Sequence, residues 1–124
     1  MLRIMSPGIN ILKLLVGGNM ELSLEEKVIG KHFNGKPLYQ KSFEGTFAVN
    51  SPIPDLDNIE DLVAQFGYYI KGSEQYPIPE IYSGYTCYWY KTNTTNKVVL
   101  SSEGSRQMQF TIIYTKTTDW YTYY

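Results

Sequence analysis

The sequence predicts an all-β fold, an antiparallel β-sandwich with little helix. Apolar residues recur with a period of two along several stretches, as they do on strands that bury one face. Turn-forming segments such as Asn34-Gly35 separate these stretches. A length of 124 residues fits one domain that is large enough to bury a core. We therefore expect two sheets packed face to face.

The first 19 residues are predicted to be an extension of a single domain that covers residues 20–124. The apolar run at residues 9–16 contains Lys13 and has about half of the ~20 apolar residues that a membrane-spanning helix needs. No clean cleavage site follows it. We expect neither a membrane span nor a secretion signal. Two interpretations stay open, an amphipathic attachment segment and an artefact of start-codon choice.

The first structured elements are predicted around "KHFNGKPLYQKSF", residues 31–43. Asn34 and Gly35 can both adopt positive φ in a type I′ turn, so residues 28–33 should run antiparallel to residues 36–43. Pro37 has no N–H and is expected at an edge strand or directly after a turn. Before this hairpin, "SLEE" at residues 23–26 has the form of a capping box and could hold one helical turn.

Alternation predicts the inward face of each of three longer strands, and "YTCYWYK" with "KVVLSS" predicts a second hairpin around the turn at residues 93–96. The second hairpin is aromatic on both faces of its first strand. The residues predicted to face the core are Tyr39, Phe43, Phe47 and Val49, then Leu62, Ala64, Phe66, Tyr68 and Ile70, and finally Met108, Phe110, Ile112 and Tyr114.

Composition argues against several classes of function. The 11 basic and 12 acidic residues leave no basic surface for phosphates, so we expect no nucleic-acid partner. Cys87 is the single cysteine, which excludes an internal disulfide and a cysteine-based zinc site. The single histidine, His32, lies beside the predicted turn, where we do not expect a catalytic triad.

An acidic stretch supplies the one candidate group of oxygen ligands. It lacks the glycine and the terminal glutamate of a helix-loop-helix calcium site, so we predict a solvated loop with no metal and no cofactor. A hydrolase that uses two of these carboxylates across a cleft remains a third possibility for the function. The residues of this stretch are Asp55, Asp57, Glu60 and Asp61.

Tyrosine is unusually frequent, with 12 residues in the chain. Such rings suit sugars and protein interfaces, because the ring gives apolar contact while the hydroxyl stays hydrated. Most of them are expected to pack inside the sandwich. The residues expected to form an exposed binding or interface patch are Tyr85, Tyr88, Trp89, Trp120, Tyr121, Tyr123 and Tyr124.

Two segments of the chain resemble the signatures of a β-rich domain that recurs in structural proteins of tailed bacteriophages and prophages. The first signature reads V-x-G-x-W-x-D-G-K-P-[IL]-Y-x-[KR], and the second T-[IV]-x-Y-T-K-[TS]-x-D. The chain departs from the first at His32 and Asn34, where the family usually has Trp and Asp, and extends past the second with "WYTYY". The matching residues are Val28, Gly30, Gly35, Lys36, Pro37, Leu38, Tyr39 and Lys41, and Thr111, Ile112, Tyr114, Thr115, Lys116, Thr117 and Asp119.

The resemblance implies a non-enzymatic virion protein, a module of a tail fibre, a tail tip, or a capsid fibre or decoration. It also implies a homo-oligomer, most often a trimer, with other virion proteins as partners and a host-surface glycan as a further candidate. Such a protein is made in the cytoplasm of the host bacterium. The alternative is a stand-alone carbohydrate-binding module, which the same tyrosines would serve. A trimer in solution would favour the virion protein.

Overall fold

A computed structural model describes residues 22–82 and 86–119, which form seven strands in two antiparallel sheets. The five-stranded sheet has the order β1-β2-β7-β3-β4, and β5 pairs with β6 in the second sheet. The prediction of an all-β fold is confirmed. The strands are β1 (Lys27–Lys31), β2 (Pro37–Phe47), β3 (Ile59–Lys71), β4 (Glu74–Ile78), β5 (Cys87–Lys91), β6 (Val98–Ser102) and β7 (Arg106–Lys116).

The described ranges contain no helix, and therefore none that is long and apolar enough to cross a membrane. The predicted helical turn at residues 23–26 is wrong. This segment bends instead, and the Ser23 hydroxyl accepts a hydrogen bond from the Glu25 N–H at 3.0 Å. A Ser side chain that bonds two residues ahead forms a local turn that competes with helix.

The core lies between the β5-β6 hairpin and one face of the five-stranded sheet, which we call the inner face. Phe110 on β7 stacks on Trp89 of β5 with ring centroids 4.6 Å apart, and Phe47 meets both rings edge-on. The predicted inward face of β7 is confirmed. Its buried members are Met108, Phe110, Ile112 and Tyr114, and Tyr39, Phe43 and Phe47 of β2 pack against the same core.

The predicted inward face of β3 is wrong over most of its length. Gly67 lies opposite Phe110 and Tyr69 lies opposite Met108, so odd-numbered residues face the core. The pairing of β3 with β7 is irregular between Ile59 and Ala64, and this shifts the phase of the alternation. The even-numbered set, Ala64, Phe66, Tyr68 and Ile70, lies half-buried on the opposite, outer face.

The first hairpin is confirmed, with β1 antiparallel to the start of β2, but its turn differs from the predicted type I′. The His32 carbonyl accepts a hydrogen bond from the Gly35 N–H, and the His32 N–H donates to the Lys36 carbonyl, both at 2.8 Å. Of the predicted pair only Gly35 has positive φ, 86°. The Asn34 side chain accepts the Lys36 N–H at 3.0 Å instead. This is a three-residue loop that ends in a left-handed glycine.

Pro37 is the first residue of β2, as predicted for a residue that cannot donate to the ladder. The β2-β7 pairing begins at Tyr39 and Tyr114, so its extension by two residues would place Pro37 opposite Lys116. The Lys116 carbonyl at this position accepts a hydrogen bond from the Lys36 ammonium at 3.1 Å. The lysine therefore supplies a donor where proline has none.

Candidate functional site

An aromatic pair lies on the outward face of the β5-β6 hairpin. Tyr88 and Tyr90 are two residues apart on β5, with ring centroids separated by 6.3 Å. Tyr90 is 38 % exposed and Tyr88 is half-buried. The prediction included Tyr88 but missed Tyr90, although residues two apart on a strand share a face.

Trp89 does not belong to this surface, and its predicted place in an exposed patch is wrong. It is 2 % exposed and lies in the centre of the core. Because strand residues alternate between faces, the buried Cys87 and Trp89 leave Tyr88 and Tyr90 outside. The other predicted members of the patch, Tyr85, Trp120, Tyr121, Tyr123 and Tyr124, lie outside the described residues.

The backbone that carries the aromatic pair is held on both sides. The side-chain amide of Gln65 on β3 accepts the Trp89 N–H at 2.7 Å and donates to the Trp89 carbonyl at 2.8 Å. On the far side of β6, Asn50 and Ile53 donate backbone hydrogen bonds to Leu100 and Val98, both at 2.9 Å. The two tyrosines therefore project from a fixed strand.

A second exposed aromatic side chain lies at the tip of the first hairpin. Phe33 is 93 % exposed, and its ring contacts only one described ring, that of His32, at a centroid distance of 4.2 Å. Ile81 and Tyr82, in the loop between β4 and β5, are also largely exposed. The sequence pattern does not single out these three residues, because exposure at a loop has no periodicity.

Beneath the Phe33 turn, a polar network joins the start of β2 to the end of β7. The ammonium of Lys36, 2 % exposed, pairs with the Glu60 carboxylate. The Tyr39 hydroxyl donates to Asp119 at 2.8 Å, and the Lys116 ammonium lies 4.2 Å from the centroid of the Tyr39 ring. This network stabilises the contact between two strands that are distant in sequence.

Glu26 extends the network on the side of β1. It accepts hydrogen bonds from the Tyr114 hydroxyl and, at 2.7 Å, from the Lys116 ammonium. Burial alone would raise the pKa of Glu26, but these two bonds and the positive charge of Lys116 outweigh it and lower the pKa. Burial, followed by the hydrogen bond to Asp119, raises the pKa of Tyr39 to about 12. The Tyr39 phenol is therefore a neutral hydrogen-bond donor, and Glu26 is an ionised acceptor.

The acidic stretch is a loop only at Asp55 and Asp57, because Glu60 and Asp61 belong to β3, where the prediction of a loop is wrong. Three of its residues bond to different partners. Glu60 pairs with Lys36, Asp57 pairs with Lys97 at 3.0 Å, and the Asp61 N–H donates to the Thr115 hydroxyl. Within residues 22–82 and 86–119, no group of three or more His, Cys, Asp or Glu side chains is placed to hold a metal ion.

Cys87, the single cysteine of the chain, lies on β5 and is fully buried in the core. Burial raises the pKa of its thiol to about 11. The thiolate, which is the reactive form, is therefore scarce at neutral pH. Its role is that of a small apolar residue in β5.

The comparisons with known proteins add no relative to this description. The chain matches no family model, no curated protein and no solved structure. The likeness of its two segments to the phage domain therefore stays a prediction from the sequence.

Proposed function

We propose that this protein is a non-enzymatic structural protein of a tailed-bacteriophage virion, a module of a tail fibre or appendage or of a capsid fibre or decoration. It is made in the cytoplasm of the host bacterium and resides in the virion. There it assembles with copies of itself, as a trimer, and with other virion proteins. Its exposed aromatic side chains contribute to adhesion to the host surface.

One observation carries this proposal: the side chains that match the two phage-like segments meet in space. Lys36 and Tyr39 belong to the first segment, and Lys116 and Asp119 belong to the second, 80 positions further along the chain. The pairing of β2 with β7 brings the two segments side by side, and the bonds from Lys36 and Tyr39 cross this contact. Both segments therefore belong to one structural unit, as they would in a domain that carries the two signatures.

The exposed aromatic side chains support a role in assembly and adhesion. Phe33, Tyr82 and Tyr90 are exposed at three places in the fold, and aromatic residues are enriched at protein interfaces relative to the rest of the surface. Tyr and Trp often dominate interface energies, where truncation of one can cost about 2 kcal/mol or more. When several copies surround a symmetry axis, their weak contacts act together and the overall binding becomes tight.

The location in the virion is tested on particles produced by induction or infection and purified by density gradient. Mass spectrometry should detect the protein in the particles, and immunogold labelling should place it at the tail or on the capsid. Particles that lack the protein while the lysate contains it would contradict the proposal.

The assembly is tested by light scattering on the full chain and on a variant that lacks residues 120–124. The full chain should have three times the mass of one subunit. The shortened chain should lose either this mass or its binding to host cells, while circular dichroism still shows a folded β protein. A full chain that is monomeric at micromolar concentration would contradict the trimer.

A stand-alone carbohydrate-binding module remains the second candidate, and the Tyr88-Tyr90 pair favours it. The two neighbouring rings are inclined by 55° to each other on a fixed strand, and a sugar can stack on the face of either ring. The two candidates differ in a measurable way. A module of this kind would bind glycans as a monomer and would be absent from virions, whereas the virion protein would be present in them.

A further inference from the structure

A pocket of about 150 Å³ opens on the outer face of the five-stranded sheet, opposite to the β5-β6 hairpin. The register of four adjacent strands brings its side chains together. Glu44 of β2 and Tyr68 of β3 both lie opposite Gln109 of β7, and Ile70 lies opposite Gln107 and Gln75. Side chains directly opposite each other on one face are about 5 Å apart.

The polar part of the pocket consists of one carboxylate and three amides, from Glu44, Gln75, Gln107 and Gln109. Each amide can donate and accept hydrogen bonds, whereas the carboxylate accepts only. The Gln109 amide donates to the Glu44 carboxylate at 3.3 Å, which orients both groups. A ligand with several adjacent hydroxyl groups, each a donor and an acceptor, fits this set.

Tyr68 and Ile70 supply the apolar part of the pocket. Burial, followed by the negative charge of Glu44, raises the pKa of Tyr68, which is consistent with a carboxylate close to the phenol. An aromatic ring offers its face to C–H groups while its hydroxyl bonds to polar atoms. The pocket is open to solvent, so its volume of about 150 Å³ can receive one face of a sugar ring while the rest of the sugar stays in water.

We propose that this pocket binds a neutral pyranose sugar, with Glu44 and the glutamine amides on its hydroxyl groups and Tyr68 against its ring. The negative charge of Glu44 disfavours sugars that carry a carboxylate. The inference rests on the glycan-adhesion part of the proposed function and assigns it to a surface on the opposite side of the domain from Tyr88 and Tyr90.

The test is an NMR titration of the ¹⁵N-labelled full chain with glucose, galactose, mannose and N-acetylglucosamine, and with glucuronic acid as the anionic comparison. At least one neutral sugar should shift the amide signals of Gln107, Gln109 and Tyr68, and glucuronic acid should bind more weakly. Glu44→Gln should weaken binding by about tenfold or more, because hydrogen bonds to a charged acceptor are the strong ones.

Glu103→Gln is the matched control, since it removes an exposed carboxylate outside the pocket and should leave the affinity unchanged. The spectrum of each variant reports whether it is folded. The proposal is overturned if no neutral sugar shifts these signals, if glucuronic acid binds as well as the neutral sugars, or if Glu44→Gln and Glu103→Gln bind equally.

A double variant, Tyr88→Ala with Tyr90→Ala, separates this pocket from the aromatic pair. If the double variant still binds the sugar, the result supports the pocket. If the double variant no longer binds and the sugar shifts the β5 signals of the unmodified protein, the site is the aromatic pair and the inference is overturned. Detection in virions is a separate measurement, so a negative result there contradicts the virion proposal and leaves the sugar titration as an independent result.

Discussion

Gly67 lies so close to Phe110 that a Cβ atom at Gly67 would be 2.5 Å from the Phe110 Cα and 2.2 Å from the Gln109 carbonyl oxygen. Both of these are backbone atoms, which cannot move without distortion of the β3-β7 pairing. Gly67 also has a φ of 151°, which L residues rarely adopt. The centre of the five-stranded sheet therefore depends on the absence of a side chain at this position.

We predict that Gly67→Ala destabilises the protein by more than about 3 kcal/mol, because backbone strain and a steric clash add. Gly45→Ala separates the two effects. Gly45 has a φ of 138° but open space around it, so its substitution should cost about 1 to 3 kcal/mol. Gly104→Ala, with no such φ and an ordinary contact, should change stability by less than about 1 kcal/mol. Urea denaturation measures all three, and equal effects would contradict this account.

The aromatic core predicts that a Phe→Ala substitution has a very different effect on the free energy of unfolding at a buried and at an exposed position. Phe110 is buried among Phe43, Phe47 and Trp89, so Phe110→Ala should lower the free energy of unfolding by about 3 to 5 kcal/mol. Phe33→Ala removes the same atoms from an exposed hairpin tip and should change it by less than about 0.5 kcal/mol. A loss of several kcal/mol for Phe33→Ala would show that this ring is covered in solution.

The first hairpin and the inward face of β7 could be predicted because their signals are local. Asn34-Gly35 marks a turn, and four alternating apolar residues define the face of β7. The turn type could not be predicted, since it depends on whether the Asn34 side chain bonds to the backbone. The face of β3 could not be predicted either, because Leu62 and Tyr69 both pack inward across an irregular pairing that shifts the alternation.

The candidate site was predictable only in part. Three consecutive aromatic residues, Tyr88, Trp89 and Tyr90, show that both faces of β5 are aromatic, but the pattern alone does not say which face meets the core. The bond from Tyr39 to Asp119 joins residues 80 positions apart, and such contacts leave no periodic signal. The pocket around Glu44 arises from the register of four strands, which the sequence does not encode in any one segment.

Gln65 is predicted to be a major contributor to the joining of the two sheets. Gln65→Leu would leave the Trp89 N–H and carbonyl without the amide that now satisfies them inside the protein. Each buried unsatisfied polar group costs about 1 to 3 kcal/mol, so the two groups together predict a loss of about 2 to 6 kcal/mol. Amide hydrogen exchange at Trp89 should also accelerate.

The control for Gln65 is Gln107→Leu, the same change on the exposed outer face, which should leave the stability within about 0.5 kcal/mol. Equal losses for the two variants, or unchanged exchange at Trp89 in Gln65→Leu, would show that the amide does not hold β5.

Glu26 is predicted to make part of the stability depend on pH. Its pKa in the folded protein is lowered from 4.5, because bonds from Lys116 and Tyr114 outweigh the opposing effect of burial. A carboxyl group with a lowered folded pKa stabilises the protein fully above its unfolded pKa, and this contribution is lost as the pH falls through the folded pKa. Glu26→Gln should therefore be less stable than the unmodified protein at neutral pH, and the difference should shrink below pH 4.5.

Urea denaturation between neutral pH and pH values below 4.5 measures this difference, with Glu25→Gln as the neighbouring exposed control. A difference that stays constant, or grows in acid, would mean that the ionised Glu26 does not stabilise the contact between β7 and the segment before β1.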